Sequence, residues 1–214
     1  MYPSNAGWMS DTEHVLSMMK ALSRMMEYDP DIEITVLPEV YPPSEDSILL
    51  IESLDVKEGE RILEIGPGSG VVSIHCAKNG CSVTAADVNP HAVECTILNS
   101  KRNDVDITVL HSDLYEKVDG IFDCIVFNLP YLPVDEEGEL EKAWSGGSDG
   151  IGPLPGLLEG SDEHLDPNGR IVIVVSSLMD QDRLNGLISR YDVKVTGELP
   201  LFFEKLSVLE LRKA

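Results

Sequence analysis

Short runs of β-branched and apolar residues alternate with helical patterns through most of this chain, and that alternation restricts the fold more than any other feature. Such runs are typical of strands that are buried on both faces. Helical patterns separate them, which predicts repeated βαβ units and parallel pairing. The predicted strands are Arg61–Ile65, Ser82–Ala86, Ile107–Leu110, Phe122–Phe127 and Arg170–Val175; the helices lie around Ile48–Leu54, Val71–Lys78, Ala92–Arg102 and Leu154–His164.

The C-terminal part departs from this repeat. Val193–Leu199 and Ser207–Leu211 read as two further strands, and only the short connection around Pro200–Lys205 joins them. A connection of that length permits antiparallel pairing and excludes a parallel crossover. The sequence therefore predicts an α/β domain over residues 36–214, built on a doubly wound sheet of seven strands that is mostly parallel and ends in an antiparallel hairpin.

Residues 1–35 have a different character. Ser10 and Glu13 form a capping-box pattern, after which apolar residues recur at helical spacing until Asp29-Pro30. The stripe consists of Val15, Met18, Met19, Leu22, Met25 and Met26. We predict an amphipathic helix over residues 10–28, which either packs on the body of the protein or binds a partner through its methionines.

Charge weighs against a nucleic-acid partner. The chain has 38 acidic residues against 16 Lys and Arg, a net charge of −22. Such a surface repels phosphate backbones unless basic residues are concentrated locally. Lys101-Arg102 and Arg212-Lys213 are isolated pairs on that acidic background. Nucleic-acid binding is therefore disfavoured.

The cysteines and the hydropathy pattern indicate a reducing, membrane-free setting. Cys76, Cys81, Cys95 and Cys124 show no C-x-x-C spacing and lie in or beside apolar runs, as expected of reduced core thiols. No stretch reaches the roughly 18 apolar residues of a membrane span, and the N-terminus lacks a signal-peptide pattern. We expect a cytoplasmic protein without a membrane association, and the sequence predicts no metal site.

A glycine-rich turn follows the first predicted strand, in Glu64-Ile65-Gly66-Pro67-Gly68-Ser69-Gly70. Glycines there let the backbone turn tightly and approach a ligand. The dinucleotide fingerprint G-x-G-x-x-G would require glycine at position 71, where this chain has Val71. A pyrophosphate is therefore not the expected ligand, and the Glu64 carboxylate suits a cationic group better than a phosphate.

Two more acidic residues follow the ends of the next strands. Asp87 lies about 20 positions after the glycine turn, where a carboxylate can accept hydrogen bonds from both ribose hydroxyls. Asp113, followed by Leu114, could accept from an adenine amino group. Each carboxylate could instead cap a helix or turn, although Asn89 before Pro90 already supplies a cap. Together with Glu64 they predict a nucleoside site at the carboxyl edge of the sheet.

The motif Asn128-Leu129-Pro130-Tyr131 follows the fourth predicted strand. The Asn128 side chain and the Leu129 backbone carbonyl offer two acceptors, and Pro130 removes a competing amide donor. Such a pair would hold an NH2 group, while Tyr131 would supply a wall for a planar acceptor. A simple Asn-x-Pro turn is the alternative interpretation.

With these motifs in this order, the chain resembles the class I S-adenosylmethionine-dependent methyltransferases, specifically the HemK-like protein glutamine N5-methyltransferases of the archaeal and eukaryotic branch. Three further segments are similar to motifs of that branch, so the resemblance covers about residues 39–212. They are Val40–Asp46, Ala143–Gly147 with Asp149-Gly150, and Glu204–Leu209.

The resemblance implies a Rossmann-like fold, S-adenosyl-L-methionine as cofactor, and the glutamine of the Gly-Gly-Gln motif of a class-1 peptide release factor as acceptor. It implies cofactor contacts at Ser47, Glu64, Gly66, Asp87, Asp113, Leu114 and Asn128, with Gly68 and Gly70 completing the glycine turn. Asn128 to Tyr131 would hold the acceptor. The family's usual N-P-P-Y stands here as N-L-P-Y, which keeps the backbone carbonyl but changes the stiffness of the turn.

Two rival functions remain open at this stage. The same four-residue motif could hold an adenine amino group of DNA or RNA, or the chain could be a non-catalytic cofactor-binding subunit. The resemblance also implies that a small zinc-binding activator can cover an apolar edge of the sheet in this branch. The N-terminal helix could occupy such an edge instead.

Overall fold

The computed structural model describes residues 25–136, 138 and 140–214. Its centre is a sheet of seven strands in the order β3-β2-β1-β4-β5-β7-β6. Strands β1 to β5 run parallel, and β7 pairs antiparallel with both β5 and β6. The strands are β1 Arg61–Ile65, β2 Ser82–Asp87, β3 Ile107–His111, β4 Phe122–Asn128, β5 Leu165–Ser176, β6 Tyr191–Pro200 and β7 Lys205–Lys213.

Helices cover both faces of this sheet, and the alternation of side chains along the strands divides the core between them. In β4, Ile125 and Phe127 face one cluster, whereas Cys124 and Val126 face the other. The first cluster includes residues of α4 and α5, and the second includes residues of α1 and α2. The helices are α1 Glu45–Glu52, α2 Val71–Lys78, α3 Pro90–Arg102, α4 Leu154–His164 and α5 Gln181–Ile188.

The predicted fold class is confirmed: the sheet has seven strands, is mostly parallel and ends in the antiparallel hairpin β6–β7. Within the α/β domain, one helix and one strand differ from the prediction. Helix α5 was not predicted, because Leu184 and Ile188 are its only buried residues. Strand β5 begins at Leu165 rather than Arg170, with a register shift against β4 between Phe122 and Cys124.

The described end of the N-terminal segment is not helical. Met25 forms an antiparallel bridge with Asp55, and the Met26 amide donates to the Leu54 carbonyl at 3.0 Å. Pairing with the chain that leaves α1 satisfies this backbone, so the predicted helix is wrong for residues 25–28. Residues 10–24, which carry most of the apolar stripe, lie outside the described residues. The division at residue 35 stays a prediction.

The segment that follows is tied to α3 by side-chain amides. Asn99, which is fully buried, accepts from the Thr35 amide at 2.9 Å and donates to the Thr35 carbonyl at 2.8 Å. Asn103 makes the same pair of bonds with Glu33, at 3.1 and 2.8 Å. Glu33 and Thr35 are thus fastened to the same helix that follows the Asp87 strand.

All four cysteines are buried and free of disulfides, as predicted. Burial raises the pKa of the Cys124 thiol to about 12, which keeps it protonated and unreactive. Within the described part of the chain, none of the helices combines the length and the apolar character needed to cross a membrane.

Candidate active site

A groove opens at the carboxyl edge of the sheet, beside the point where the strand order reverses. Strand β1 lies between β2 and β4, so the chain winds in opposite directions on the two sides of β1. Ligands of open α/β sheets bind at such points. The groove is open to solvent, and the space inside it and at its mouth totals about 1020 Å³. Its lining includes Ser47, Glu64, Gly66, Gly68, Asp87, Asp113, Leu114, Asn128 and Pro130.

The glycine turn forms the floor of this groove and needs glycine at three positions. Gly66, Gly68 and Gly70 have φ angles of 63°, 56° and 81°, which side chains rarely adopt. At Gly66 an added Cβ would lie 2.9 Å from the Phe127 ring. An added Cβ at Gly68 would make only an ordinary contact, 3.9 Å from the Tyr41 carbonyl oxygen, whereas Gly70 does not line the groove and caps α2 instead.

Replacing Gly70 with alanine tests this structural role. A Cβ there would lie 2.9 Å from Cγ2 of Thr96, in addition to the strain of the positive φ. We expect the free energy of unfolding to fall by about 2–3 kcal/mol, of which the left-handed backbone accounts for about 1–2 kcal/mol. Gly59→Ala is the matched control, because Gly59 has the same φ of 81° and open space around it. Equal losses for both variants in urea denaturation would contradict the packing role of Gly70.

Glu64 lies in β1, where its side chain reaches the groove but is almost fully shielded from water, at 2% exposure. Ser73 of α2 donates its hydroxyl to Glu64 Oε2. Burial raises the pKa of Glu64 to about 7, against the lowering effect of its hydrogen bonds with Ser73. A cationic group entering the groove would favour the ionised carboxylate.

Asp87 ends β2 and links it to the glycine turn. Its Oδ2 accepts from the Gly68 amide at 3.1 Å and its Oδ1 from the Asn89 amide at 2.9 Å. The N-cap of α3 is Asn89, which accepts from the His91 amide at 2.9 Å. Asp87 is therefore not the helix cap, and each carboxylate oxygen keeps a second acceptor site in the groove.

Asp113 and Leu114 follow β3 and form the outer end of the groove. Leu114 has a φ of 43°, and the Ser112 hydroxyl donates to its carbonyl at 3.2 Å. Ser112 is buried, and its amide donates to the Asp87 carbonyl at 2.9 Å. This tight turn brings the exposed Asp113 carboxylate and the apolar Leu114 side chain to the groove together.

Asn128 lies at the end of β4 and lines the groove on the opposite side from Asp87 and Asp113. Its Oδ1 is buried and has no hydrogen-bond partner among the described residues. A buried amide oxygen without a partner costs about 1–3 kcal/mol, so it is seldom left without a function. Oδ1 is thus an available acceptor for a ligand NH group.

The rest of the motif is divided between the groove and the core. Pro130 lines the groove, whereas Leu129 is buried in the core cluster that includes α4. Tyr131 is not among the lining residues; its ring packs against both core clusters, and its hydroxyl donates to Asp46 Oδ2 at 3.4 Å. Burial, followed by the Asp46 charge, raises the pKa of Tyr131.

Glycines of the loop after this motif allow close backbone contact with it. A Cβ at Gly146 would lie 2.6 Å from the Pro130 carbonyl oxygen, and one at Gly150 would lie 2.6 Å from that of Tyr131. The Leu132 amide and carbonyl bond to Trp144 and Gly146 at 3.0 and 2.9 Å. The loop therefore fixes the backbone around Pro130.

Several lining residues were not predicted from the sequence as site residues. Tyr41, Pro42 and Pro43, just before α1, form one wall, and Lys142, Ala143 and Pro153 contribute from the loop after β4. The Tyr41 and Trp144 rings lie 6.1 Å apart, so these two walls are neighbours. Phe127 near the end of β4 and Ser112 just after β3 also line the groove, beside the predicted site residues.

This donor set fits a nucleoside with a cationic end. Asp87 at the end of β2 and Asp113 just after β3 offer carboxylate acceptors, and Leu114 offers an apolar surface. The Glu64 carboxyl lies deeper, beside the glycine turn. Within the part of the chain that the structure describes, no group of three or more His, Cys, Asp or Glu side chains is arranged to hold a metal ion.

Comparison with known proteins gives a consistent family. The model of the methyltransferase small domain family matches residues 42–198. A provisionally named protein N5-glutamine methyltransferase of Methanocaldococcus jannaschii is 38% identical over 83% of this chain and 94% of its own length. The mouse methyltransferase HEMK2 is 33% identical over 64% of this chain and 71% of its own length.

Solved structures share the fold at lower identity. The Mtq2–Trm112 complex of E. cuniculi matches with a TM-score of 0.67 and 19% identity, over 82% of this chain and 99% of that one. A methyltransferase of Pyrococcus furiosus matches with a TM-score of 0.61 and 22% identity, over 96% of this chain and 100% of that one. The chain belongs to the methyltransferase small domain family and, within it, to the HemK-like enzymes, which use S-adenosylmethionine.

Proposed function

We propose that this enzyme transfers a methyl group from S-adenosylmethionine to the side-chain amide nitrogen of a protein glutamine, in the Gly-Gly-Gln motif of a class-1 peptide release factor. The observation that carries the proposal is the buried Asn128 Oδ1, which lines the groove without a hydrogen-bond partner among the described residues. An amide NH2 group supplies the donor that this oxygen lacks.

Orientation is the main task of the protein in this reaction. The cofactor supplies an electrophilic methyl group on a sulfonium. An amide nitrogen is a poor nucleophile because its lone pair is delocalised into the carbonyl, so binding alone is insufficient. By accepting both amide hydrogens, Asn128 Oδ1 and the Leu129 backbone carbonyl would aim the nitrogen into the groove, and such positioning can contribute up to about 7–11 kcal/mol.

The same two acceptors stabilise the positive charge that develops on nitrogen during transfer. The product loses its proton to solvent afterwards, so the transfer needs no titrating general base. Rigidity of the motif matters here, and the glycines at positions 146 and 150 provide it by letting their loop pack directly on the Pro130 and Tyr131 carbonyls. We propose Glu64, Asp87, Asp113 and Leu114, with Ser47 and the glycine turn, as the cofactor contacts.

The names of relatives support the choice of acceptor. A release factor glutamine methyltransferase of Lactococcus lactis is 28% identical over 63% of this chain and 54% of its own length. The E. cuniculi complex is described as responsible for methylation of the eRF1 translation termination factor. These names agree with an acceptor site built to hold a planar amide.

Methylation of an adenine amino group is the rival, because it would present the same two hydrogens to Asn128. The net charge of −22 weighs against it, since a chain without a basic stripe lacks the usual electrostatic footprint of nucleic-acid binding. A non-catalytic cofactor-binding subunit is a weaker alternative, because it would not need an unpartnered acceptor at Asn128.

A second subunit is part of the proposal. In the E. cuniculi complex the methyltransferase is assembled with Trm112. Here β3 lies at one end of the described sheet, and three of its five residues, Ile107, Val109 and Leu110, are only half-buried. A small activator protein could pair with or cover that edge. Activity with and without such a protein decides whether the chain is self-sufficient.

The test is transfer of labelled methyl from S-adenosylmethionine to a class-1 release factor and to its Gly-Gly-Gln variant with Gln replaced by Ala, each with and without activator. We expect label on the parent factor alone, located by mass spectrometry on the glutamine. Label on both factors would assign a different acceptor residue. Label on adenine-containing oligonucleotides and on neither factor would favour the rival.

A further inference from the structure

The turn between β6 and β7 presents two phenylalanines to solvent. Phe202 and Phe203 are 91% and 85% exposed, whereas the next most exposed large apolar side chain in the described residues, Val195, is 51% exposed. The two rings contact each other edge to face, with centroids 4.6 Å apart. Leu201 beside them is 38% exposed. A contiguous apolar patch of this kind typically marks an interaction site.

Hydrogen bonds fix the β6–β7 turn that carries this patch. The Leu201 amide donates to the Glu204 carbonyl at 2.8 Å, closing the turn. The Ser176 hydroxyl at the end of β5 donates to Glu204 Oε2. The amides of Ser177 and Lys205 complete the junction, donating to the Lys205 carbonyl and to the Ser177 hydroxyl at 2.9 Å each. The aromatic pair is therefore presented by an ordered hairpin.

Strand register places this hairpin tip beside the acceptor side of the groove. Asn128 of β4 pairs with Val174 of β5, and Ser176 of β5 pairs with Leu206 of β7. The start of β7 thus lies two strand spacings from β4, roughly 10 Å, and at the same edge of the sheet. Strands β1, β2 and β3, which lead to the Glu64, Asp87 and Asp113 positions, lie on the other side of β4.

The effect of Glu204 on the pKa values of two tyrosines also indicates that the hairpin turn lies near the acceptor side of the groove. Burial, then Asp46, then the Glu204 carboxylate raise the pKa of Tyr131, and Glu204 is also among the causes that raise the pKa of Tyr41, after burial and Asp46. Glu204 belongs to the hairpin turn. The turn therefore lies close to the end of the acceptor motif and to the Tyr41 wall of the groove.

We propose that Phe202 and Phe203 form a docking surface for the acceptor protein, binding an apolar side chain close in sequence or space to the methylated glutamine. This inference rests on the proposed function. Phe202 and Phe203 lie in the turn a few residues before the start of β7, so they are further from Asn128 than the roughly 10 Å between β4 and β7. An extended segment of the acceptor protein with its glutamine at Asn128, or a neighbouring part of its surface, can span that distance. The strands that lead to the cofactor side of the groove lie on the other side of β4, so the hairpin flanks the acceptor side.

The size of the patch favours a transient substrate over a second copy of this chain. A stable dimer needs about 800 Å² per partner. Two phenylalanines bury about 150–250 Å² each, and Leu201 adds less. That area suits an anchoring contact in an enzyme–substrate complex, where a few aromatic residues carry most of the binding free energy.

The test is the double variant Phe202→Ser/Phe203→Ser, assayed by methyl transfer to the intact release factor. We expect KM for the release factor to rise about tenfold or more with kcat unchanged, because the anchor contributes to protein binding and not to the chemistry. The dissociation constant of S-adenosylmethionine and the melting temperature should match the wild type. Ile121→Ser is the matched control, because Ile121 is exposed at the opposite edge, just before β4, and should leave KM unchanged.

An unchanged KM in the double variant, with the wild type labelling the release factor, would overturn the docking surface and leave the proposed function intact. Wild type that fails to label the factor would overturn both. Sedimentation velocity tests whether a second copy of this chain occupies the patch instead. A wild type that is dimeric and a double variant that is monomeric would assign the patch to self-association and also overturn the proposal.

Discussion

Asn128→Ala is expected to lower kcat for methyl transfer by about 10²–10³-fold while leaving most of the affinity for S-adenosylmethionine. The variant removes Oδ1, the buried acceptor that lines the groove without a partner in the described structure. Loss of a single group that stabilises developing charge typically costs two to three orders of magnitude in kcat. Single-turnover kinetics with the release factor would measure this loss, and calorimetry would measure cofactor binding.

Asn168→Ala is a suitable control, because Asn168 is an exposed asparagine near the start of β5, at the far edge of the sheet. It should retain wild-type turnover. Fold stability of Asn128→Ala should equal or exceed that of the wild type, because the substitution removes a buried unsatisfied oxygen. Turnover by Asn128→Ala within a few-fold of wild type would show that the acceptor amide is held elsewhere.

The strands were predictable because their information is local. β-branched runs such as Ile62–Ile65 and Ile171–Val175 alternate with helical patterns, and parallel pairing follows from the crossover connections. Helix α5 was harder to predict, since it contains Gly186, a poor helix former, and only Leu184 and Ile188 are buried. Residues 25–28 were misassigned because the helical spacing of Met25 and Met26 gave no sign that their backbone pairs with Leu54 and Asp55.

Much of the groove was predictable for a related reason. Parallel strands bring their carboxyl ends to one edge, so the positions of Glu64, Asp87, Asp113 and Asn128 along the sequence imply that they meet in space. The Tyr41 wall and the loop that includes Ala143 reach the groove by tertiary packing, and no spacing in the sequence encodes that contact. The hydrogen bond from Tyr131 to Asp46 joins residues 85 positions apart and was equally hidden.

Affinity for S-adenosylmethionine is expected to fall as the pH drops below 7, by on the order of 20-fold between pH 7.5 and pH 5.5. Burial raises the pKa of Glu64 from 4.5 to about 7, so the free enzyme holds this carboxyl increasingly protonated below pH 7. A cationic ligand binds the ionised form, and binding at low pH must therefore release a proton. The range from pH 5.5 to pH 7.5 lies below about 7.7–8.0, where an α-amino group loses its own proton, so the ligand stays cationic throughout.

The raised pKa of Glu64 makes the stability of the free protein fall, rather than rise, with increasing pH. Because the folded pKa lies above the ordinary value of 4.5, the fold loses stability as the pH rises from 4.5 through 7, and the cationic ligand restores it. Glu64→Gln should bind the cofactor more weakly at pH 7.5 and lose most of the pH dependence. Any pH dependence of cofactor affinity that remains would reflect Asp87, because burial raises the pKa of that carboxyl as well.

Isothermal titration in two buffers of different ionisation enthalpy separates proton release from ligand binding. At pH 6 the wild type should release close to one proton per cofactor bound, and Glu64→Gln much less. Glu163→Gln, which alters an exposed carboxylate of α4, should behave as the wild type. A wild-type dissociation constant that stays flat from pH 5.5 to pH 7.5 would mean that the cofactor's cationic end is bound away from Glu64, and the buried carboxyl would then act only through its hydrogen bond with Ser73.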